Sequence, residues 1–256
     1  MLKFTASAIV VAAGSSSRMG GKVRKPYLSL RGRPILTWTL SALGKVTGVG
    51  QIVIVTRPED RRRAATAARR AKLPKHIRLD WALGGARRQD SVFNGLQSVS
   101  PDSELVLIHD AARPFPPQTA IVTACEHTLR SGAAILACRV KDTVKRELHP
   151  IPASHNKKVG RMPPPHNTNI SATVPRAGLW LAQTPQVFKR TLLIRLFERL
   201  AKEAPDQEFT DDASICEFFR HPVALIESSE TNLKVTQQDD LLIAEAYLWI
   251  RAQQKR

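Results

Sequence analysis

The sequence predicts an α/β fold in which a mostly parallel, twisted sheet carries helices on both faces. Apolar, strand-like runs alternate along the chain with helical stretches of about 10–15 residues, which is typical of a parallel sheet with crossover helices. The run at residues 51–56 is β-branched and has no polar alternation, as expected for a strand covered on both faces. The 256 residues, 43% of them hydrophobic, can form one large domain with a substantial core.

The first half of the sheet is predicted to begin with a strand at residues 8–13, which ends at Gly14. Residues 34–46 have the apolar spacing of an amphipathic helix, with Pro34 in its first turn. The elements that follow are strand 51–56, helix 59–72, strand 78–82, helix 89–99, strand 104–108, helix 118–130 and strand 133–139.

The last third of the chain is predicted to return to the sheet. Residues 210–214 carry an N-cap signal for a helix that ends near residue 220. Asp239 and Asp240 lie where the helix dipole favours acidic residues, in the first turn of a final helix at 238–253. The other elements are strand 180–184, helix 188–203 and strand 223–227.

Residues 141–176 interrupt this pattern. Their prolines, with Asn, Lys and His between them, exclude a helix and disfavour a central strand. We predict one domain over residues 1–256 with a β-hairpin arm at about 141–176, whose two sides are residues 141–146 and 170–176. Because such an arm cannot bury its own faces, we expect it to pack on a second subunit in a homodimer.

Composition restricts the class of protein. No apolar run reaches the roughly 18 residues that a membrane span needs, and no signal peptide precedes the first strand, so the simplest prediction is a cytoplasmic enzyme. Cys125, Cys138 and Cys216 are widely spaced and are predicted to be buried thiols. The formal charge of +17 suits either anionic substrates or nucleic acid. Because the basic groups are scattered without interleaved aromatic residues, we interpret most of this charge as a solvated basic face.

The loop after the first strand is the principal candidate site. Gly14 and three serines, Ser15, Ser16 and Ser17, lead into Arg18 and Lys25. Exposed backbone N–H groups followed by cations suit a polyphosphate. The loop has the spacing of neither a P-loop nor a dinucleotide fingerprint, and an ordinary turn after a buried strand is the alternative.

Two further polar segments are predicted at the same sheet edge. Gly84 and Gly85 follow one strand, and residues 110–113 follow another. In an open α/β sheet, ligands bind at the carboxyl ends of the strands. The three segments therefore predict one phosphate-binding crevice.

Four motifs in this order resemble a known family: AAGSSSRMGGKVRKPYL, GGARRQDSV, HDAARPF and NLKVT. The chain resembles the 2-C-methyl-D-erythritol 4-phosphate cytidylyltransferases of the non-mevalonate isoprenoid pathway over almost its whole length. The resemblance implies the Rossmann-like nucleotidyltransferase fold with a dimerising β-arm. It also implies a reaction in which CTP and methylerythritol phosphate are joined with release of pyrophosphate, with Mg²⁺ as cofactor.

The resemblance assigns a role to each site residue. It makes Arg18, Lys25 and Lys234 the catalytic cations and Asp110 a magnesium or ribose contact. Arg88 would support the Gly84–Gly85 turn, whereas Arg87 would be a surface residue. The implied nucleotide-binding residues are Ala12, Ala13, Gly14, Ser15, Ser16, Ser17, Gly84, Gly85, Ser91, Asp110 and Ala111. The implied substrate-binding residues are Asp110, Arg113, Thr143 and, from the other subunit, Arg176.

For some residues, and for the function itself, the sequence leaves alternative interpretations open. His109 is interpreted as a packed strand-end residue, and Thr210 with Asp211 as a helix cap. A cytidylyltransferase for another alditol phosphate, notably ribitol 5-phosphate, would share the nucleotide motifs. A basic nucleic-acid-binding protein on an inactive transferase scaffold is the alternative from another class. Two departures from the family pattern are the three serines of the first loop and a long, proline-rich segment at residues 147–171.

Overall fold

A computed structural model describes residues 4–14, 23–148 and 169–253. These described residues divide into two compact units, one within the bounds Met1–Ala137 and Ala182–Arg256 and the other within Cys138–Leu181. None of the helices in the described ranges combines the length and the apolar character needed to cross a bilayer.

A seven-stranded sheet forms the centre of the first unit, with the strand order β11-β7-β10-β6-β1-β4-β5. Strand β1 pairs in parallel with β4 and β6, β4 with β5, and β7 with β11, whereas β10 runs antiparallel to β6. This mostly parallel sheet confirms the predicted fold class. The strands are β1 (Ala6–Val11), β4 (Val49–Thr56), β5 (Arg78–Leu83), β6 (Leu105–Asp110), β7 (Ala133–Arg139), β10 (Trp180–Lys189) and β11 (Ala224–Glu227).

Helices cover both faces of this sheet. The helices are α1 (Ile35–Leu43), α2 (Arg61–Ala71), α3 (Arg88–Leu96), α4 (Gln118–Ser131), α5 (Arg190–Glu203), α6 (Ala213–Phe218) and α7 (Gln238–Gln253). Side chains of β1 alternate between two cores. Ala8 and Val10 pack with α1, α2 and α4, while Ile9 packs with α3, α5 and α6. Because both faces of β1 are buried, its residues 8–11 are apolar without alternation.

Several predicted boundaries are wrong. The predicted helix at 188–203 begins only at Arg190, because Val187 and Phe188 extend β10 and pair with Leu107 and Val106 of β6. The first strand ends at Val11 rather than at residue 13. The helix predicted to follow the N-cap signal at 210–214 spans Ala213–Phe218 and ends two residues before the predicted end near residue 220. A short hairpin of β2 (Ser29–Leu30) and β3 (Arg33–Pro34) was not predicted.

The second unit contains the two sides of the predicted arm. Strands β8 (Val144–Glu147) and β9 (Ile170–Val174) pair antiparallel, with Val144 opposite Val174. Their side chains are mostly exposed. The prolines between residues 149 and 168 lie outside the described residues.

Candidate active site

The end of β1 lies against the turn that follows β5. The amide of Ala12 donates to the Val55 carbonyl at 2.8 Å, and the amide of Gly84 donates to the Thr56 carbonyl at 3.1 Å. A Cβ atom on Gly84 would lie 2.3 Å from the Cβ of Ala13, so only glycine fits there without a shift. Two of the predicted nucleotide-binding segments are therefore in direct contact.

The turn at Gly85 is held from the start of α3. The Gly85 amide donates to the Ser91 hydroxyl at 2.9 Å, and a Cβ on Gly85 would lie 2.4 Å from the Cβ of Asp90. The Asp90 carboxylate accepts from the Arg87 amide at 3.0 Å and also binds the Arg87 guanidinium. The prediction that Arg88 supports this turn and that Arg87 is a surface residue is therefore wrong: Arg87 holds the turn.

Replacing Gly84 with alanine is expected to displace the loop at residues 12–14. The close contact with Ala13 must open, and a displacement near 1 Å can cost on the order of 10²-fold in kcat/KM. We expect most of the loss in the KM for CTP, measured by steady-state pyrophosphate release. Gly50→Ala is the matched control, because no heavy atom lies within 4 Å of a Cβ there. Equal kinetics for the two variants would contradict the placement of the loop.

Asp110, at the end of β6, lies among three cations. Its carboxylate is 2.8 Å from the Lys234 Nζ and 3.7 Å from nitrogen atoms of both Arg88 and Arg113. Burial alone would raise the pKa of Asp110, but the three cations, Lys234 foremost, hold it well below its usual range. The carboxylate is therefore ionised in the folded protein at every physiological pH.

The segment that carries Lys234 is fixed to the strand ends by its backbone. The Val235 amide donates to the Ala112 carbonyl at 2.9 Å, and the Arg113 guanidinium donates to the Asn232 carbonyl at 2.7 Å. The buried side-chain amide of Asn232 donates from Nδ2 to the Thr184 carbonyl at 2.9 Å. Because the backbone is held on both sides of Lys234, its ammonium group is directed towards Asp110 although the side chain is 46% exposed.

Arg88 joins Asp110 to a second, buried carboxylate. Its guanidinium binds Asp212 at 2.7 Å, and Asp212 is fully buried. Gln186 positions this carboxylate, because its side-chain oxygen accepts from the amides of Asp212 and Ala213. Burial would lower the pKa of Arg88, but Asp212 and Asp110 raise it above the ordinary value, so Arg88 is a fixed positive charge.

One cavity of about 260 Å³ is lined by Asp110 and the three cations around it. Arg88, Arg113 and Lys234 supply three positive charges, and Asp110 and Asp211 supply two negative charges. Such a cavity suits a small phosphate ester, whose anionic oxygens meet the cations while its hydroxyl groups meet polar side chains. Thr210 and Asp211 both line this cavity, so the helix cap predicted for them is not their whole role. Asp211 does accept from the Ser214 amide at 3.0 Å, as a cap would.

His109 is a packed residue, as the sequence indicates. It is fully buried, and its ring nitrogens lie 3.0 Å from the Arg113 carbonyl and 3.0 Å from the Thr184 hydroxyl. Burial lowers the pKa of His109 to about 4, so the ring is neutral near pH 7. His109 therefore positions the strand end and is not a proton carrier at neutral pH.

The neutral His109 is expected to make folding stability pH-dependent. Below its ordinary pKa of 6.5 the unfolded chain binds a proton, while the folded chain does not until about pH 4. The free energy of unfolding should therefore fall by about 3 kcal/mol as the pH drops through that window. Urea unfolding of His109→Gln should show a correspondingly smaller fall, whereas His76→Gln, at an exposed position, should match the wild type. Equal pH slopes for all three proteins would contradict this assignment.

The remaining predicted residues are placed as follows. Ala111 is buried, and its amide donates to the Val11 carbonyl at 3.2 Å. Lys25 lies in a single 3₁₀ turn at Lys25–Tyr27, outside the residues that line the cavity. Its charge acts on Asp240 in the first turn of α7. Ser15, Ser16, Ser17 and Arg18 lie outside the described residues, and Thr143 and Arg176 belong to the second compact unit.

Known proteins are similar to this chain over most of its length. The profile of the family 2-C-methyl-D-erythritol 4-phosphate cytidylyltransferase matches residues 6–249. The chain is 36% identical over 239 residues to the chloroplastic enzyme of that name from Oryza sativa subsp. japonica, covering 93% of this chain and 73% of the relative. It is 37% identical over 241 residues to the enzyme of that name from Geobacillus kaustophilus, covering 94% of this chain and 96% of the relative.

A solved structure extends the similarity to the fold. The crystal structure of 4-diphosphocytidyl-2C-methyl-D-erythritol synthase from Anaerococcus prevotii superposes with a TM-score of 0.75 at 30% identity, covering 96% of each chain. The family resemblance predicted from the four motifs is confirmed over nearly the full length of the chain. The chain belongs to the 2-C-methyl-D-erythritol 4-phosphate cytidylyltransferase family.

Proposed function

We propose that this protein transfers the CMP moiety of CTP to 2-C-methyl-D-erythritol 4-phosphate, releasing pyrophosphate, in isoprenoid precursor biosynthesis. Family membership supports the reaction. The observation that carries the proposal is the Asp110 carboxylate surrounded by Lys234, Arg88 and Arg113, because this cluster can hold phosphate groups at the end of β6.

The reaction needs little covalent chemistry from the protein. A phosphate oxygen of methylerythritol phosphate forms a bond to the α-phosphorus of CTP as the bond to the β-phosphate oxygen breaks, and the electron pair leaves with pyrophosphate. The attacking phosphate is already ionised, so no general base is required, and the neutral, buried His109 is not needed as one. Fixed cations lower the barrier by stabilising the charge that grows on the equatorial and leaving oxygens.

We assign the cations and the nucleotide loop within this scheme. Lys234 would bind the α-phosphate, and Arg113 the phosphate of the alcohol substrate. The backbone of residues 12–17 would bind the triphosphate, with Arg18 and Lys25 as further catalytic cations. Cytosine would lie against the turn at Gly84 and Gly85, which the Ser91 hydroxyl shapes through its bond to the Gly85 amide.

A divalent cation, Mg²⁺ or a similar ion, fits beside Asp110. The described residues contain no group of three or more His, Cys, Asp or Glu that could hold a metal by themselves. Mg²⁺ in nucleotide enzymes is held by one or two carboxylates together with substrate phosphates, and Asp110 offers an ionised carboxylate that lines the cavity. When bound, the ion neutralises charge on the phosphate oxygens.

We further propose a homodimer in which the arm with the β8–β9 hairpin packs on the second subunit. The substrate site would then include Thr143 and, from the other subunit, Arg176. Both strands of the hairpin are largely exposed, and an isolated hairpin is at best marginally stable. Arg176→Ala should raise the KM for methylerythritol phosphate, by about tenfold or more for a lost charge-assisted contact. The KM for CTP should change much less, and equal increases in the two KM values would contradict the assignment.

A substrate comparison tests the proposed function. Purified protein is supplied with CTP, Mg²⁺ and either methylerythritol 4-phosphate or ribitol 5-phosphate, and pyrophosphate release is measured. We expect turnover with methylerythritol phosphate and little with ribitol 5-phosphate. Turnover of ribitol 5-phosphate alone would overturn the proposed substrate, and CTP-independent release would overturn the reaction.

A further inference from the structure

Arg88 divides its guanidinium group between two carboxylates. Its Nη1 lies 2.7 Å from the Asp212 Oδ2, whereas its Nη2 lies 3.7 Å from the Asp110 Oδ1. The first contact is a short, charge-assisted hydrogen bond, and the second is longer than a hydrogen bond. Arg88 is therefore bonded to Asp212 and only close to Asp110.

The Asp212 carboxylate is placed for this contact by β10 and by the start of α6. Gln186 of β10 pairs with Ile108 of β6, two residues before Asp110. The Gln186 side-chain oxygen accepts from the amides of Asp212 and Ala213 at 3.0 and 2.9 Å. The backbone that carries the Asp212 carboxylate is thereby fixed to the strand beside the one that carries Asp110.

Asp212 and Arg88 form a buried ion pair. Asp212 is fully buried, and its Oδ1 has no hydrogen-bond partner among the described residues. Burial raises the pKa of Asp212, and the Arg88 guanidinium opposes that shift. Desolvation offsets most of the attraction within a buried ion pair, so such a pair adds little to folding stability. Its effect on the neighbouring site is the better explanation for it.

We infer that Asp212 is a positioning residue for CMP transfer, which acts on Asp110 through Arg88; this inference rests on the proposed function of the cavity. While Asp212 binds Arg88, the guanidinium stays beyond hydrogen-bond distance of the Asp110 Oδ1. Arg88 and Asp110 then both remain available to a ligand in the cavity that they line. Without the Asp212 charge, Arg88 moves by about 1 Å and closes on Asp110.

Asp212→Asn keeps the size of the side chain and removes its charge. A displacement near 1 Å in a site can cost on the order of 10²-fold in rate, so we expect kcat to fall by about 10- to 100-fold. The KM for CTP should stay within about threefold of the wild type. The contacts of the Gly84 turn with Ala13 and Thr56 do not involve Asp212, which is the reason for this split.

Asp212→Glu separates the effect of the charge from that of packing. It keeps the carboxylate but adds a methylene group to a fully buried position. Because the charge holds Arg88, the kcat of Asp212→Glu should be at least about tenfold above that of Asp212→Asn. A packing role predicts the reverse order, since Asn has the size of Asp and overpacking is costly. An equal or lower kcat for folded Asp212→Glu would overturn the inference.

A double-mutant cycle tests the route through Arg88 without enlarging a side chain. Arg88→Gln leaves Asp212 buried and unpaired, so it should lower the Tm, and adding Asp212→Asn should restore part of that loss. When residue 88 is already Gln, Asp212→Asn should change kcat by less than about threefold. Losses in kcat that multiply in the double variant would overturn the inference.

A crystal structure of Asp212→Asn measures the displacement directly. We expect an Arg88 nitrogen within about 3 Å of the Asp110 carboxylate, against 3.7 Å in the wild type. Asp80→Asn is the matched control for both distance and kcat, because Asp80 binds Arg78 at the same 2.7 Å but does not line the cavity. An unchanged 3.7 Å separation would overturn the inference.

This structural readout separates the inference from the proposed function. It needs no substrate, so it decides the role of Asp212 even if the wild type released no pyrophosphate from CTP and methylerythritol phosphate. That kinetic result would overturn the proposed function alone. A fully active wild type with an equally active Asp212→Asn would overturn the inference alone.

Discussion

Lys234→Ala is expected to lower kcat by 10²- to 10³-fold, the order of magnitude found when one donor to a developing oxyanion is removed. The Lys234 Nζ lies 2.8 Å from Asp110 in the cavity, and the side chain is 46% exposed, so its loss leaves the core intact. The effect should fall on kcat more than on the KM for CTP, because the charge on the phosphate oxygens grows in the transition state. Steady-state pyrophosphate release at saturating methylerythritol phosphate measures it.

Lys189→Ala is the control for Lys234. Lys189 pairs with Leu105, at the opposite end of β6 from Asp110. This variant should retain wild-type kinetics. If Lys234→Ala kept a kcat within about threefold of the wild type, Lys234 would have no part in stabilising the transition state.

Asp110→Asn is expected to have the largest effect of any single change, a loss on the order of 10³-fold or more in kcat. The substitution keeps the shape of the side chain but removes the charge that three cations surround, and with it the proposed metal ligand. The dependence of the rate on Mg²⁺ concentration should also shift to higher concentrations, since one charged ligand is lost.

Asp102→Asn is the control for Asp110, because Asp102 is exposed near the start of the same strand. It should match the wild type in both rate and Mg²⁺ dependence. If Asp110→Asn were slower but kept an unchanged Mg²⁺ dependence, Asp110 would not be a metal ligand. Its role would then be to position the three cations.

The fold could be predicted largely because buried strands have a recognisable apolar pattern in the sequence. Strand β4 is a β-branched run with both faces in apolar cores, and β7 has the bounds predicted for it. The start of α5 could not be predicted in this way. Val187 and Phe188 are equally apolar in a strand or a helix, and their pairing with β6 is a tertiary contact.

The parts of the candidate site that are formed by a local sequence motif could be predicted. The contact between Ala13 and Gly84 joins two segments that both follow strands, as the topology of a parallel sheet requires. The pairing of Arg88 with Asp212 spans 124 residues and leaves no local signal, so the sequence suggested a different role for Arg88. The buried Asp212 and the residue that positions it, Gln186, were missed for the same reason.

The central claim is that the residue 12–14 loop, the Gly84 turn and the Asp110 cluster form one nucleotide-transfer site. A crystal structure of the protein with CTP and Mg²⁺ tests it most directly. We predict that the triphosphate lies on the backbone of the residue 12–14 loop, cytosine lies against Gly84 and Gly85, and the Lys234 Nζ is within hydrogen-bond distance of the α-phosphate. CTP bound away from Asp110 and Lys234 would contradict the claim.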